Sequence, residues 1–379
     1  MTMYDRWLLP DGIEEVLPSS AARVEDLRRQ LLDLYRSWGY QLLITPLVEF
    51  TDSLLSGLGT DLDTLTYKLT DQVSGRTMGI RADITPQVAR IDAHSLGQEG
   101  VSRLCYAGSV LQTRPGSLLG SRLPIKVGAE LYGDSSLAAD IEIISMMLET
   151  VACAGLGRVT LDLGHVGIYR SLLADSGLDS DQEQAVFDAL QRKSLPDLKL
   201  VLAPLADAGR RQLILELASK HGDLSVLEDV PYAAAAVAEL HEVRAAIEHR
   251  YPNVDIYFDL GELRGYDYHT GLVFAAYVPG FGQAVANGGR YDDVGEVYGR
   301  ARPATGFNTD LKALLDLLEQ VPLASAISAP VGSDDAMWQR VGELRGAGEI
   351  VICSLSGEVD PRCDRQLVCR EGDWQVEIL

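Results

Sequence analysis

The sequence predicts an α+β fold, and three observations carry that expectation. A long amphipathic segment at 19–38 leads into short apolar runs bounded by turn residues. From about 168 to 248 the chain turns rich in Ala, Leu and Glu with helical periodicity. Strand-like runs then return between 254 and 287. Helices and strands in blocks, rather than strict βαβ alternation, define the α+β class. At 379 residues with 46% apolar and 23% charged residues, the chain can bury a large core. That length predicts two to three domains at about 150 residues each.

Taken in order, Val24, Leu27, Leu31, Leu34 and Tyr35 recur at helical spacing, with Ser19 or Ser20 as a cap and Gly39 as a stop. Leu42–Thr45, closed by Pro46, reads as a strand ending at an edge. Residues 78–81, 104–111 and 126–132 read as further strands, and 138–152 as a second helix. Helical patterns follow at 182–191, 207–220 and 233–249. Residues 254–259, 272–278 and 283–287 suggest an antiparallel meander, and 309–319 a last amphipathic helix. Pro322 to Pro330 reads as a linker, Glu349–Ser354 as a strand. Arg365–Cys369 and Trp374–Ile378 read as a hairpin around Arg370-Glu371-Gly372-Asp373.

Composition narrows the function. The net charge of −22, with no long Lys/Arg run, disfavours nucleic acid as a partner because phosphate backbones repel such a surface. No run of 18 or more apolar residues suggests a membrane span, and the N-terminus carries no secretory pattern. The five cysteines form no CxxC pair, so neither a zinc site nor a disulfide framework is expected, and a cytoplasmic location fits. The remaining histidines, His94, His165, His221, His241 and His249, read as surface or packing residues.

Four segments stand out. Gly39-Tyr40 to Ile44-Thr45-Pro46-Leu47-Val48-Glu49 follows the first helix. Arg81-Ala82-Asp83-Ile84-Thr85-Pro86 puts Arg, Asp and Thr at a strand end before a helix, where Asp83 or Thr85 could serve simply as a cap. Arg264-Gly265-Tyr266-Asp267-Tyr268-His269 and Asn287-Gly288-Gly289-Arg290-Tyr291-Asp292 complete the set. A Gly-Gly pair beside a strand ordinarily marks a bulge or turn.

In this order the segments resemble histidyl-tRNA synthetase over about residues 5–320, starting from Leu9-Pro10-Asp11-Gly12. The resemblance implies a class II aminoacyl-tRNA synthetase-like antiparallel sheet core over 1–167 and 249–320. It also implies a helical insertion at 168–248 and a dimer-forming element at Gly39–Glu49. Arg264–Tyr268 and Gly288–Asp292 look like the two peptides that mark histidyl enzymes. By the same resemblance Asp83 and Thr85 would hold an amino-acid ammonium, Glu130 the imidazole and Arg264 the carboxylate. Tyr268 and Tyr291 retain family aromatics. Such a set suits a zwitterion with a hydrogen-bonding ring. Lys126 stands where the family has a glutamine, and His269 where it has a tyrosine. Lys126 would repel the bound ammonium unless Glu130 or Asp83 absorbs its charge.

The ATP-handling positions depart from the enzyme. Leu111-Gln112 stands where the synthetase has Phe-Arg, and Arg114 where it has an acidic adenine contact. Asp310-Leu311-Lys312-Ala313 stands for Gly-Leu-Glu-Arg, so Ala313 replaces an ATP-binding arginine. Neither Gln112 nor Ala313 can supply a permanently charged fork to a phosphate. Past residue 320 only about 59 residues remain, too few for the family's anticodon-binding domain. Synthetase-like core, missing arginines and a short 321–379 α/β tail together resemble the regulatory subunit of ATP phosphoribosyltransferase. That family implies a non-catalytic partner of a short catalytic subunit in the first step of histidine biosynthesis, with histidine as allosteric effector. It implies self-association as a dimer within a hetero-oligomer, and no cofactor. The alternatives are a histidyl-tRNA synthetase-like enzyme and a tRNA-sensing paralogue.

Overall fold

The computed structural model describes residues 7–55, 59–116, 120–174, 176–262, 268–318, 325–332, 334–355 and 357–379. Contacts divide the chain into two units, Met1–Leu318 and Glu319–Leu379.

The first unit starts with α1 (Pro18–Ser37), which buries Val24, Leu27, Leu31 and Tyr35 along one stripe. Pro18 at its first turn, not a serine cap, sets the start, because a fixed φ and a missing N–H cost nothing there. Gly39, at φ 85°, ends it by donating its N–H to Arg36 O at 3.0 Å. β1 (Gln41–Leu43) follows, shorter than the expected 42–45. Then come β2 (Val48–Phe50), α2 (Thr51–Leu54), α3 (Gly59–Leu65), β3 (Tyr67–Thr70) and β4 (Thr77–Ile80). The last two strands join β2 in a small sheet ordered β2-β4-β3.

α4 (Thr85–Arg90) runs directly into a π-helical turn at Ile91–Leu96. β5 (Ser102–Ser109) and β6 (Ile125–Tyr132) are a long antiparallel pair, and α5 (Leu137–Cys153) crosses behind the sheet. β7 (Thr160–His165), α6 (Val166–Leu173), α7 (Ser180–Gln191), α8 (Leu195–Val201) and α9 (Ala208–Leu217) follow. After β8 (His221–Gly222) and α10 (Ala234–Arg250) come β9 (Asp255–Asp259), β10 (Leu272–Tyr277), β11 (Ala286–Arg290), β12 (Ala304–Asp310) and α11 (Leu311–Asp316).

Nine strands form one sheet in the order β1-β5-β6-β12-β11-β10-β7-β9-β8. The expected meander is therefore only partly right. β10 and β11 form an antiparallel hairpin, but β7 lies between β10 and β9, and β9 pairs with it in parallel. β12 carries too few large apolar residues (Ala-Thr-Gly-Phe-Asn-Thr-Asp) to read as a strand, yet it is central. The helix expected over 309–319 starts only at Leu311, because Asp310 closes β12 and caps α11 through Lys312 N.

α5 is apolar nearly all round and correspondingly buried, packing between α1, α10 and the sheet. Its one buried charge, Asp140, meets Arg290 of β11 with Nη2–Oδ2 at 2.7 Å. That pair bolts α5 to the Gly-Gly-Arg-Tyr-Asp peptide, and removing one partner of such a buried pair costs roughly 3–5 kcal/mol. Val186, Leu190, Leu198, Ile214 and Leu240 of the helical stretch share a continuous core with Leu161 and Leu163 of β7.

The second unit comprises β13 (Ala326–Ala329), α12 (Asp335–Gly346), β14 (Val351–Cys353), β15 (Cys363–Arg370) and β16 (Asp373–Ile378), ordered β14-β13-β15-β16. The expected linker is corrected here. Residues 326–329 form a buried strand, and α12 crosses from it to parallel β14 over a core of Ile327, Met337, Val341 and Leu367. Four consecutive small or apolar residues suffice for a strand buried on both faces. The β15–β16 hairpin turns at Glu371 (φ 51°) and Gly372 (φ 93°), the doubly positive φ of a type I′ turn.

Candidate functional site

Register builds the site. Across the sheet Glu130 of β6 pairs with Gly306 of β12, Gly306 with Gly289 of β11, Gly289 with Val273 of β10, and Val273 with Gly164 of β7. Directly paired residues face the same side, so this row puts one carboxylate beside two successive glycines, Gly306 and Gly289, with Val273 and Gly164 beyond them. A Cβ on Gly306 would stand 1.5 Å from Glu130 Oε2. Only glycine lets the carboxylate lie across the strand. A Cβ on Gly289 would stand 2.7 Å from His269 Nε2. Gly288 and Gly289 are therefore regular strand residues, not the bulge or turn their sequence suggests. Gly288, on the opposite face, makes room for Phe274.

Glu130 is 1% exposed and accepts three hydroxyl hydrogen bonds. Thr85 Oγ1 donates at 3.0 Å and Tyr106 OH at 3.1 Å to Oε1, and Tyr291 OH donates to Oε2. Burial pushes its carboxyl up to about 8. The Tyr291 and Thr85 hydroxyls oppose that rise, and the charge of Asp83 adds to it. Tyr132 stacks edge-on against Tyr291, ring centres 6.3 Å apart. Asp83 Oδ1 accepts from Ile84 N at 2.7 Å, and Thr85 points its hydroxyl at Glu130. Neither caps α4, whose N-cap is Ile84 with no side-chain bond.

Of the residues expected to bind a ligand, Thr85, Glu130 and Tyr291 thus share one hydrogen-bond network, and the charge of Asp83 acts on Glu130 beside it. Tyr268 lies farther along the sheet, its ring 4.5 Å from that of His269, in a cleft also lined by Asp162, Glu262 and Asn287. Arg264 lies outside the described residues. Tyr106 and Tyr132 were not singled out from sequence. The legible signal was their alternation on two strands facing Glu130, but without the register it could not be assigned to a face.

Lys126 is on the same face as Glu130, yet its charge goes to neither Glu130 nor Asp83. Its Nζ donates to Asn308 Oδ1 at 2.8 Å and its charge opposes the burial that raises the Asp310 carboxyl. Asp310 accepts from Ile125 N at 3.0 Å and Lys312 N at 3.1 Å. Lys312 Nζ in turn pairs with Glu14 and donates to Ser121 Oγ at 2.9 Å. Gln112 Nε2 donates to Ala82 O at 3.2 Å. Arg114 is exposed, with Nη2 3.5 Å from Thr64 Oγ1, and Ala313 is half-buried on α11. His165, among the histidines read as packing residues, is buried and caps α6 by accepting from Gly167 N at 2.9 Å.

Three carboxylates, of Asp162, Asp259 and Glu262, lie within 4.8 Å of one another. Lys193 Nζ donates to Asp259 at 2.5 Å and supplies the group with a positive charge.

Along its whole length the chain is 54% identical, over 394 residues, to a protein named ATP phosphoribosyltransferase regulatory subunit from Ectopseudomonas mendocina (strain ymp), with 100% of both covered. The chain belongs to the ATP phosphoribosyltransferase regulatory subunit family. Within that family the two-part structure has a counterpart in sequence. Residues 12–314 match a family profile described as Histidyl-tRNA synthetase, and residues 324–377 one described as ATP phosphoribosyltransferase subunit HisZ C-terminal domain. A solved ATP phosphoribosyltransferase regulatory subunit/histidyl-tRNA synthetase from Bacillus halodurans C is 25% identical with a TM-score of 0.82, covering 95% of this chain and 96% of that one. A histidyl-tRNA synthetase from Nostoc sp. PCC 7120, 19% identical with a TM-score of 0.77 over 96% of this chain and 91% of that one, shares the fold. The regulatory-subunit family is therefore built on a class II synthetase-like core. Among the described residues no helix is long and apolar enough to cross a membrane.

Proposed function

We propose that this chain is the non-catalytic regulatory subunit of a hetero-oligomeric ATP phosphoribosyltransferase in the cytoplasm. It acts with a short catalytic subunit in the first step of histidine biosynthesis and carries feedback inhibition by histidine. The observation that carries the reading is the contrast between the amino-acid positions and the nucleotide positions. The amino-acid side keeps a buried carboxylate, Glu130, held by three hydroxyls beside Asp83. The nucleotide side holds Gln112 and Ala313 where phosphate-binding guanidinium groups would be needed. Cations along these segments are already engaged, Arg122 with Gln112 O and Asp11 O, Lys126 with Asn308 and Lys312 with Glu14. A pocket that holds an amino acid without chemistry is a sensor, since unequal affinity for two assembly states shifts activity by that difference.

Asp83 takes the ligand ammonium, Glu130 accepts from the ring N–H, and Arg264 pairs with the carboxylate. Adenylate formation depends on pre-placed positive groups, and each lost donor costs roughly 10²–10³ in rate. The purified chain is therefore expected to show no histidine-dependent pyrophosphate exchange above a blank. Exchange that disappears on Arg264→Ala would favour the second reading, a synthetase-like enzyme, which the Histidyl-tRNA synthetase profile match over 12–314 keeps in view.

The chain also pairs with a second copy of itself. β1 is the outer strand of the large sheet, and the segment after it exposes Ile44 at 91% and Leu47 at 51%. An uncovered apolar edge invites association, and a closed two-fold pair is the commonest solution. Sedimentation at micromolar concentration is expected to give at least a dimer; a persistent monomer contradicts this assignment.

A further inference from the structure

The pocket and the exposed edge are joined by a single run of ten residues, Arg81 to Arg90. Arg81 is 8% exposed and grips the end of β1 from inside. Its Nη1 donates to Thr45 O at 2.9 Å and Thr45 Oγ1 at 2.6 Å, and its Nε donates to Ser109 O at 2.9 Å. Its main-chain N–H reaches Leu47 O at 3.1 Å. Asp83 and Thr85 of the pocket come next in the chain. α4 then returns to the same edge. Gln87 Nε2 donates to Pro46 O at 2.8 Å and Glu49 Oε1 at 2.9 Å, while Arg90 holds Glu49 through two bonds of 3.1 and 2.7 Å. The far end is anchored, since Asp92 in the π-helical turn pairs with Arg302 at 2.8 Å in the protein interior. The lever is short, helical from Thr85 onward and held at both ends.

Gln87 adds a second, independent mark. The residue is 1% exposed, and its Oε1 has no hydrogen-bond partner among the described residues. Turning the amide over would set that oxygen against Pro46 O and the Glu49 carboxylate, so its two acceptors impose the orientation. A buried acceptor left unsatisfied is costly and calls for an explanation. A network poised between two arrangements supplies one.

We propose that occupancy of the Asp83–Thr85 pocket is coupled through Arg81 and Gln87 to the order of the Ile44–Glu49 edge, so that an amino-acid ligand tightens that segment. This rests on the reading of the pocket as a histidine site. A ligand ammonium at Asp83 and a ligand ring at Glu130 select one position for the start of α4. Because Gln87 and Arg90 hold Pro46 and Glu49, the edge loses its freedom to open. Coupling of this kind is reciprocal, so a partner seated on the edge would raise affinity for the ligand by the same factor.

The test is amide hydrogen exchange on the full chain, with and without saturating L-histidine, alongside calorimetric titration. Exchange at residues 44–49 is expected to slow several-fold more than at α10, which reports general stabilisation. In Gln87→Leu, histidine still binds but the extra protection at 44–49 is lost. Thr45→Val, which removes one acceptor of Arg81, gives the same readout if the Gln87 variant does not fold. Binding without extra protection at 44–49 in the wild type overturns the coupling and leaves the pocket reading intact. Full protection retained in a folded, histidine-binding variant also overturns it. Absence of any calorimetric binding overturns both at once.

Discussion

Replacing Glu130 or Arg264 with Ala weakens histidine inhibition of the reconstituted transferase by about ten- to a hundredfold. In the proposed histidine site each residue would supply a charged hydrogen-bond partner to the ligand, and losing one in a buried site costs roughly 1.5–3 kcal/mol. Glu130 is the more exacting of the two. Its carboxylate is the common acceptor of Thr85, Tyr106 and Tyr291, so its loss also leaves three hydroxyls without their shared partner. Glu130 is on the sheet face and not on the exposed β1 edge, so complex formation is expected to persist and can be checked by gel filtration. Inhibition curves that overlay those of the wild type, with the complex intact, would place histidine sensing at the interface with the catalytic subunit.

Histidine affinity is expected to rise with pH between about 6.5 and 8, by up to about tenfold per unit, and then level off. In the empty pocket the Glu130 carboxyl sits at about 8, so it is largely protonated near neutrality. In the proposed site the ring N–H donor favours the ionised form, so binding is expected to release a proton from Glu130. The free imidazole, with an ordinary value of about 6.5, adds its own titration to the lower part of this window and is essentially neutral above about 7.5, so the Glu130 contribution is read from there to about 8. The linkage to stability has the opposite sense. The folded-state value lies above the ordinary 4.5, so the folded protein holds this proton longer than the unfolded chain. The stabilisation is fully present below about 4.5 and is lost as pH rises through about 8. Glu130→Gln removes that dependence, and its melting temperature should gain on the wild type as pH rises over this window. Calorimetry in buffers of different ionisation enthalpy measures the released proton; affinity that stays flat from about pH 6.5 to 8 would exclude Glu130 as the titrating contact.

Local rules carried much of the fold. The stripe of Val24, Leu27, Leu31 and Tyr35 implied a helix because one face must be buried, and the Glu371-Gly372 pair implied a tight hairpin because positive φ is needed there. Motif order carried the family. Where sequence reading faltered, the deciding forces came from elsewhere in the molecule. β13 and β12 lack the alternation of a half-exposed strand because neighbours cover both of their faces. β7 enters between β10 and β9 through a pairing of distant segments that no local pattern announces.

The site divides in the same way. The resemblance to histidyl-tRNA synthetase pointed to Asp83, Thr85, Glu130 and Tyr291, and to Gln112 and Ala313 where that family has arginines. The sequence by itself thus determined which residue types stand at these positions. Only the tertiary structure decided how those groups are used. Register laid Glu130 over Gly306, burial raised its carboxyl, and Lys126 turned its ammonium to Asn308, with its charge acting on Asp310 rather than Asp83. Proton affinity and ion pairing depend on distance and desolvation, and both are properties of packed neighbours rather than of position along the chain.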